Sequence, residues 1–106
     1  MKITLLQRQK KNRHRVSVYL DGEFAFGLND ESVFRFGLRK GMELDAERQR
    51  EIELYDQRVQ AKRIAERYVA ARMRSVQEVR KRLREKEIPD DVIEETVERF
   101  LLTPPL

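Results

Sequence analysis

The sequence predicts a small α+β chain, mostly α: a β-hairpin lobe followed by a three-helix repeat unit. Three observations predict it. Alternating apolar and polar residues fill much of positions 2–28 and then stop. Asp21-Gly22, a strong hairpin signal, separates two of those alternating runs. From Asp45 onward the apolar residues recur at helical spacing, punctuated by a serine cap and a proline. The expected organisation is a lobe with a short helix over 1–44, the repeat over 45–102 and a tail over 103–106.

The elements follow in order. Ile3 and Leu5 alternate with polar neighbours, as does the run from His14 to Leu20, and Glu23 to Leu28 completes the hairpin. A two-residue loop would pair Leu20 with Glu23 and Val18 with Ala25, setting the phenylalanines on the face opposite the valines. A three-residue loop with Gly22 as a left-handed bulge pairs Val18 with Phe24 and Val16 with Phe26, which gathers one apolar face, so the bulged hairpin is expected. Phe24, Phe26, Phe34 and Phe36 are read as one shared core rather than as base-stacking platforms. Asn29 or Asp30 can cap a short helix through Phe36, closed by Gly37, with a turn at Arg39-Lys40-Gly41.

The helical part begins with a segment carrying Ile52 and Tyr55. A second runs from about Asp56 to Arg72, with Ala61, Ala65, Tyr68 and Val69 inward. Met73-Arg74 breaks it. Ser75-Val76-Gln77-Glu78 fits a capping box, and the helix Ser75–Lys86 is expected to bury Val76, Val79 and Leu83. Pro89-Asp90-Asp91 opens a last helix whose inward face is Val92, Ile93, Val97 and Phe100, stopped by Thr103-Pro104-Pro105.

Composition narrows the function. The chain has 106 residues, 40% of them charged, no cysteine and a formal net charge of +4. Disulfides, thiol nucleophiles and zinc ribbons are excluded. No apolar run approaches a membrane span or a signal peptide, so a soluble, cytoplasmic protein is expected. The charge is segregated. Residues 1–20 hold six basic side chains and no acid, residues 21–57 carry a net −5, residues 58–86 a net +8, and residues 87–106 a net −5. Alternating zones of this kind suit docking on a polyanion or a protein of mixed charge, although solvated helix faces give the same pattern.

No enzyme emerges. His14 is the only histidine and lies between Arg13 and Arg15; a surface histidine is the simpler reading than a lone acid–base catalyst. Asp90-Asp91 reads as a helix start rather than a metal site, the glycines form neither a dinucleotide loop nor a P-loop, and no cofactor is expected. Glu94, Glu95 and Glu98 read as a solvated face.

The helix Ser75–Lys86 is less ordinary. With Val76, Val79 and Leu83 inward, Arg80 and Arg84 flank the core on one side, Arg82 and Lys86 on the other, and Lys81 points away. Like-charge pairs four residues apart each cost roughly 0.2–0.5 kcal/mol, offset in part by Glu78–Arg82 and Lys81–Glu85. Arg72 and Arg74 add positive charge at the helix N-terminus, where the dipole disfavours it. The expectation is that something negative sits against this surface. Arg72, Arg74, Arg80, Lys81 and Arg84 are the first candidate contacts. Lys10, Lys11 and Arg13 form a second set, for which edge-strand protection is an equal alternative.

The residues also carry a family signature. Ile3-Thr4, then Gln9-Lys10-Lys11-Asn12 and the stretch Arg15 to Leu28, resemble the N-terminal region of longer RecX family members. Ala61, Ala65 and the stretch Tyr68 to Leu83 are similar to that family's first three-helix repeat, with Met73 where the family usually has proline, implying a softer break. The resemblance implies a bacterial, cytoplasmic, non-enzymatic regulator that lies along the RecA–DNA filament and meets single-stranded DNA through it. It would limit filament growth and suppress ATPase and coprotease activity, with no membrane and no small-molecule substrate. Family members continue through two further repeats, which Phe100 to Leu106 does not resemble; a truncated or short form is the corresponding reading. A stand-alone nucleic-acid-binding module and a remnant with weak activity are the alternatives.

Overall fold

Asp21 and Gly22 both take positive φ, 50° and 86°, as the central pair of a two-residue type I′ hairpin turn does. Around this turn the computed structural model, which describes residues 1–102, forms an antiparallel sheet. Its three strands are β1 (Ile3–Arg8), β2 (Arg15–Leu20) and β3 (Glu23–Asn29), paired in that order.

The register corrects the expected hairpin. Leu20 pairs with Glu23 and Tyr19 with Phe24, so the loop has two residues rather than three. The extra residue is Ala25 instead, and beyond it Val18 faces Phe26 and Val16 faces Leu28. The physical demand is the expected one: a single inserted residue brings the apolar side chains of β3 onto the valine face. Because Asp21 as well as Gly22 tolerates the left-handed region, the turn closes unaided and the bulge moves along the strand. Phe24, on the turn side of the bulge, therefore joins Tyr19, edge-on with ring centroids 5.9 Å apart, and is 59% exposed. Phe34 points off its helix and is 89% exposed; only Phe26 and Phe36 of the four phenylalanines pack against the core. A second bulge at Thr4 turns Leu6 rather than Leu5 toward the core. The Thr4 hydroxyl accepts from Gly22 N–H at 2.9 Å and donates to the Tyr19 carbonyl at 3.2 Å, tying β1 to the hairpin turn.

Helix α1 (Asp30–Arg35) follows β3 directly. Gly37 at φ 59° ends it: its N–H reaches the Phe34 carbonyl at 3.1 Å and Leu38 N–H reaches that of Val33 at 3.0 Å, the paired bonds of a Schellman motif. The chain then returns along β1, with Ile3 N–H on the Met42 carbonyl at 2.8 Å and Leu44 N–H on that of Met1 at 2.7 Å. Ile3, Val18, Leu20, Leu28, Leu38, Leu44 and Ile52 form the buried core.

Ile52 already belongs to α2 (Ala46–Ala71), a single 26-residue helix where two segments were expected. Asp45 starts it by accepting Arg48 N–H at 2.7 Å. The two compact units part inside this helix, Met1–Asp56 and the remainder from Gln57, so the first unit extends past residue 44 into α2.

The second unit holds the rest of α2, α3 (Val76–Glu85) and α4 (Asp90–Val97), then one π-helical turn, Glu98–Leu102. The predicted capping box is present: the Ser75 hydroxyl accepts Glu78 N–H and the Glu78 carboxylate accepts Ser75 N–H, both at 3.1 Å. At the other end of α3, Glu87 takes φ 61° in the position Gly37 fills in the first unit, and Ile88 N–H reaches the Leu83 carbonyl at 3.1 Å. Val79, Leu83, Ile88, Val92, Ile93 and Val97 pack with Ala61 and Ala65. Phe100, expected inward, is 44% exposed; the π turn widens the spacing, so Leu101 packs on the core and Lys62 lies over the Phe100 ring at 5.1 Å. The expected Thr103-Pro104-Pro105 stop lies outside the described residues.

Candidate anion-binding surface

Helical periodicity distributes the cations of α3 as expected, but the two shoulders end in different company. On one shoulder Arg80 meets Glu94 of α4 in a bidentate pair, Nε and Nη2 donating at 3.0–3.2 Å, and is 22% exposed. Arg84 lies 3.9 Å from Asp90. Arg58 of α2 likewise meets Glu95 at 3.0 Å. Glu94 and Glu95, expected on a solvated face, are therefore counter-ions, and α4 supplies part of the negative partner that the sequence demanded.

The N-terminal end of α3 is also paired. Glu78 Oε2 is 3.6 Å from Arg72 and 3.8 Å from Arg74 rather than reaching Arg82, whose nearest acid is Glu85 at 3.8 Å. The Ser75 amide holds the Glu78 carboxyl below the ordinary glutamate range, with both guanidiniums adding to the effect. Lys81 is exposed and carries no ion pair among the described residues.

The other shoulder faces α2. Arg74, 17% exposed, stacks on Tyr68 with its guanidinium carbon 3.9 Å from the ring centroid and donates from Nη1 to the phenol oxygen at 3.1 Å. Arg82 approaches the same ring at 5.4 Å. Together with Arg67 and Lys86 they line a groove of about 430 Å³ floored by Ile64 and Ala71, with no acid in its lining. Arg67, Arg82 and Lys86 were not among the candidate contacts; the helical spacing Ile64, Tyr68, Ala71 and the Arg82/Lys86 shoulder were the available signals.

In the first unit, Lys10, Lys11 and Arg13 are exposed on the loop between β1 and β2, not on a strand, so only Arg8 can blunt the β1 edge. Asn12 shapes the loop, its side chain accepting His14 N–H at 3.1 Å and its carbonyl accepting Arg15 N–H at 3.0 Å. His14 is not partnerless: Nδ1 lies 3.3 Å from Asp30, which also meets Arg8 at 3.5 Å. Sequence reasoning missed Asp56. This buried carboxylate accepts Asn29 N–H at 2.7 Å, the Asn29 side-chain amide at 3.1 Å and the Ser32 hydroxyl at 2.7 Å. Asn29 thus precedes α1 without capping it through its side chain. Arg15 lies 3.7 Å from Asp56, and the space above Gly27 is what admits its guanidinium, since a Cβ there would meet Nη2 at 3.0 Å.

Among the described residues no helix is long and apolar enough to cross a membrane and no cluster of acids and histidine could hold a metal ion.

Comparison with known proteins follows the same division. The regulatory protein RecX N-terminal domain matches residues 1–45, and the RecX first three-helix domain matches residues 61–100. Regulatory protein RecX of Staphylococcus saprophyticus is 38% identical over 97 residues, covering 92% of this chain and 36% of its own length. That of Clostridium acetobutylicum is 35% identical over 96 residues, covering 91% and 45% respectively. A crystal structure of regulatory protein RecX superposes with TM-score 0.71 at 31% identity, over 92% of this chain and 48% of that one. The chain spans between 36% and 45% of the length of these curated relatives. With both domains present in their family order, the chain belongs to the RecX family of regulatory proteins.

Proposed function

We propose that this chain docks on the RecA–DNA filament and restrains its growth, ATPase and coprotease activity, without chemistry of its own. The observation that carries the reading is the family's N-terminal domain followed by its first three-helix domain. Exposed cations support it. Arg72, Lys81 and Arg84 in the second unit and Lys10, Lys11 and Arg13 in the first are available for an acidic filament surface or DNA phosphate. Arg74 and Arg80 contribute less directly, because Tyr68 and Glu94 already hold their guanidiniums.

The test is the DNA-dependent ATPase of RecA with the 106-residue chain added. Inhibition is expected, weakened by the triple change Arg72→Glu, Lys81→Glu and Arg84→Glu in a variant whose circular dichroism is unaltered. No inhibition at saturating, folded protein overturns the reading. The α2/α3 groove favours a second reading, a stand-alone nucleic-acid-binding module; tight binding to bare DNA with no preference for RecA-coated DNA would select it.

A further inference from the structure

The geometry points to the groove between α2 and α3 as a binding site for a backbone phosphate of a single nucleic-acid strand. Four cations converge there: Arg67 of α2, beside Tyr68, on one wall, Arg82 of α3 and Lys86 just past its end on the other, and Arg74 from the connecting segment. No acid lines the groove, and Arg67 and Lys86 have no ion-pair partner among the described residues. This contrasts with Arg80, on the opposite shoulder of α3, which Glu94 neutralises. Arg82 and Lys86, four residues apart where α3 ends, repel one another, and Glu85, 3.8 Å from Arg82, offsets only part of this.

Guanidinium forks match carboxylate and phosphate alike, but three arginines approaching from different directions suit the tetrahedral oxygens of a phosphate better than a planar carboxylate. The groove, at about 430 Å³, lies within the range of small-molecule sites, so a phosphate enters with its sugar attached. Ile64 offers that sugar an apolar floor. Tyr68 is not a free stacking platform, because Arg74 covers its face at 3.9 Å; it orients the guanidinium instead. The site therefore grips backbone rather than reading bases.

This deepens the proposed function by naming a site and its ligand, but its test contains no recombinase, so the two readings fail separately. The full chain is titrated with an oligothymidylate across a range of salt, alongside the double variant Arg67→Gln/Lys86→Gln and a charge-matched control, Lys40→Gln/Arg50→Gln, on the first unit. The groove variant is expected to lower the slope of log affinity against log salt by about 1.4, roughly 0.7 for each lost contact on a single strand. The control keeps the parent slope. Inorganic phosphate is expected to shift the guanidinium Nε–H signals of Arg67, Arg74 and Arg82 in nitrogen-resolved NMR. Equal slopes for parent and groove variant overturn the proposal, as does an equal loss in the control. Polyglutamate that binds in an Arg67- and Lys86-dependent manner while oligothymidylate ignores both residues also overturns it, assigning the groove to an acidic protein.

Discussion

The two units use charge in opposite ways. In Met1–Asp56 a buried carboxylate is satisfied completely from within: Asp56 takes hydrogen bonds from Asn29 and Ser32 and faces Arg15, fastening the start of α1 to the sheet and to α2. From Gln57 onward the charge is divided. Glu94, Glu95 and Asp90 of α4 answer Arg80, Arg58 and Arg84, while Arg67 and Lys86 carry no ion pair among the described residues and, with Arg74 and Arg82, line a groove without an acid. Around Asp56 the polar groups serve internal order, and exposed cations of the first unit, Lys10, Lys11 and Arg13, sit apart on the loop between β1 and β2. The groove of the second unit retains a surplus, and a retained surplus is what an anionic partner can use.

The difference can be broken most severely at Asp56. Asp56→Ala strands the buried Asn29 and Ser32 donors and Arg15, and is expected to destabilise the first unit by about 3 kcal/mol in urea titration. Loss of amide-exchange protection should be concentrated in β2, β3 and α1. In the second unit Ser75→Ala removes the hydroxyl half of the capping box and should cost about 1 kcal/mol, read as a lower urea midpoint at unchanged slope. Glu94→Ala breaks an exposed pair and should cost at most about 1 kcal/mol. It sharpens the contrast in another way: it frees Arg80, so the salt slope on oligothymidylate should steepen rather than flatten. The smallest effect is a pH dependence. The Glu78 carboxyl is held low in the folded state, so its contribution to the cap is complete above the ordinary glutamate range and is lost as pH falls through its own depressed titration. A carbon-13 titration of Glu78 in the parent and in Ser75→Ala checks this; an unchanged midpoint would show that the cap does not favour the charged form.

What the sequence made legible was local. The Ser75-Val76-Gln77-Glu78 cap, the Gly37 terminator and the shoulder assignment along α3 depend on neighbours within a turn, and all three appear in the structure. The need for a bulge was legible as well, but not its place. Gly22 and Ala25 satisfy the apolar face equally well on paper, and the left-handed tolerance of Asp21 decides between them. Asp56 was illegible because its partners lie 24 and 27 residues away and nothing local marks a charge as buried. The groove was half legible: Arg82 and Lys86 share a shoulder by periodicity, whereas the arrival of Arg67 opposite them depends on how α2 packs against α3. The neutralisation of Arg80 by Glu94, across fourteen residues and a change of helix, was hidden for the same reason.

The stacking of Arg74 on Tyr68 has an optical consequence. The chain has no tryptophan and three tyrosines, of which Tyr19 and Tyr55 lie in the first unit. Tyr68 alone has its phenol bonded to a groove guanidinium, so an oxyanion drawing Arg74 away would change the polarisation of that ring and leave the other two chromophores undisturbed. The second unit carries its own ultraviolet indicator of occupancy, readable without a label.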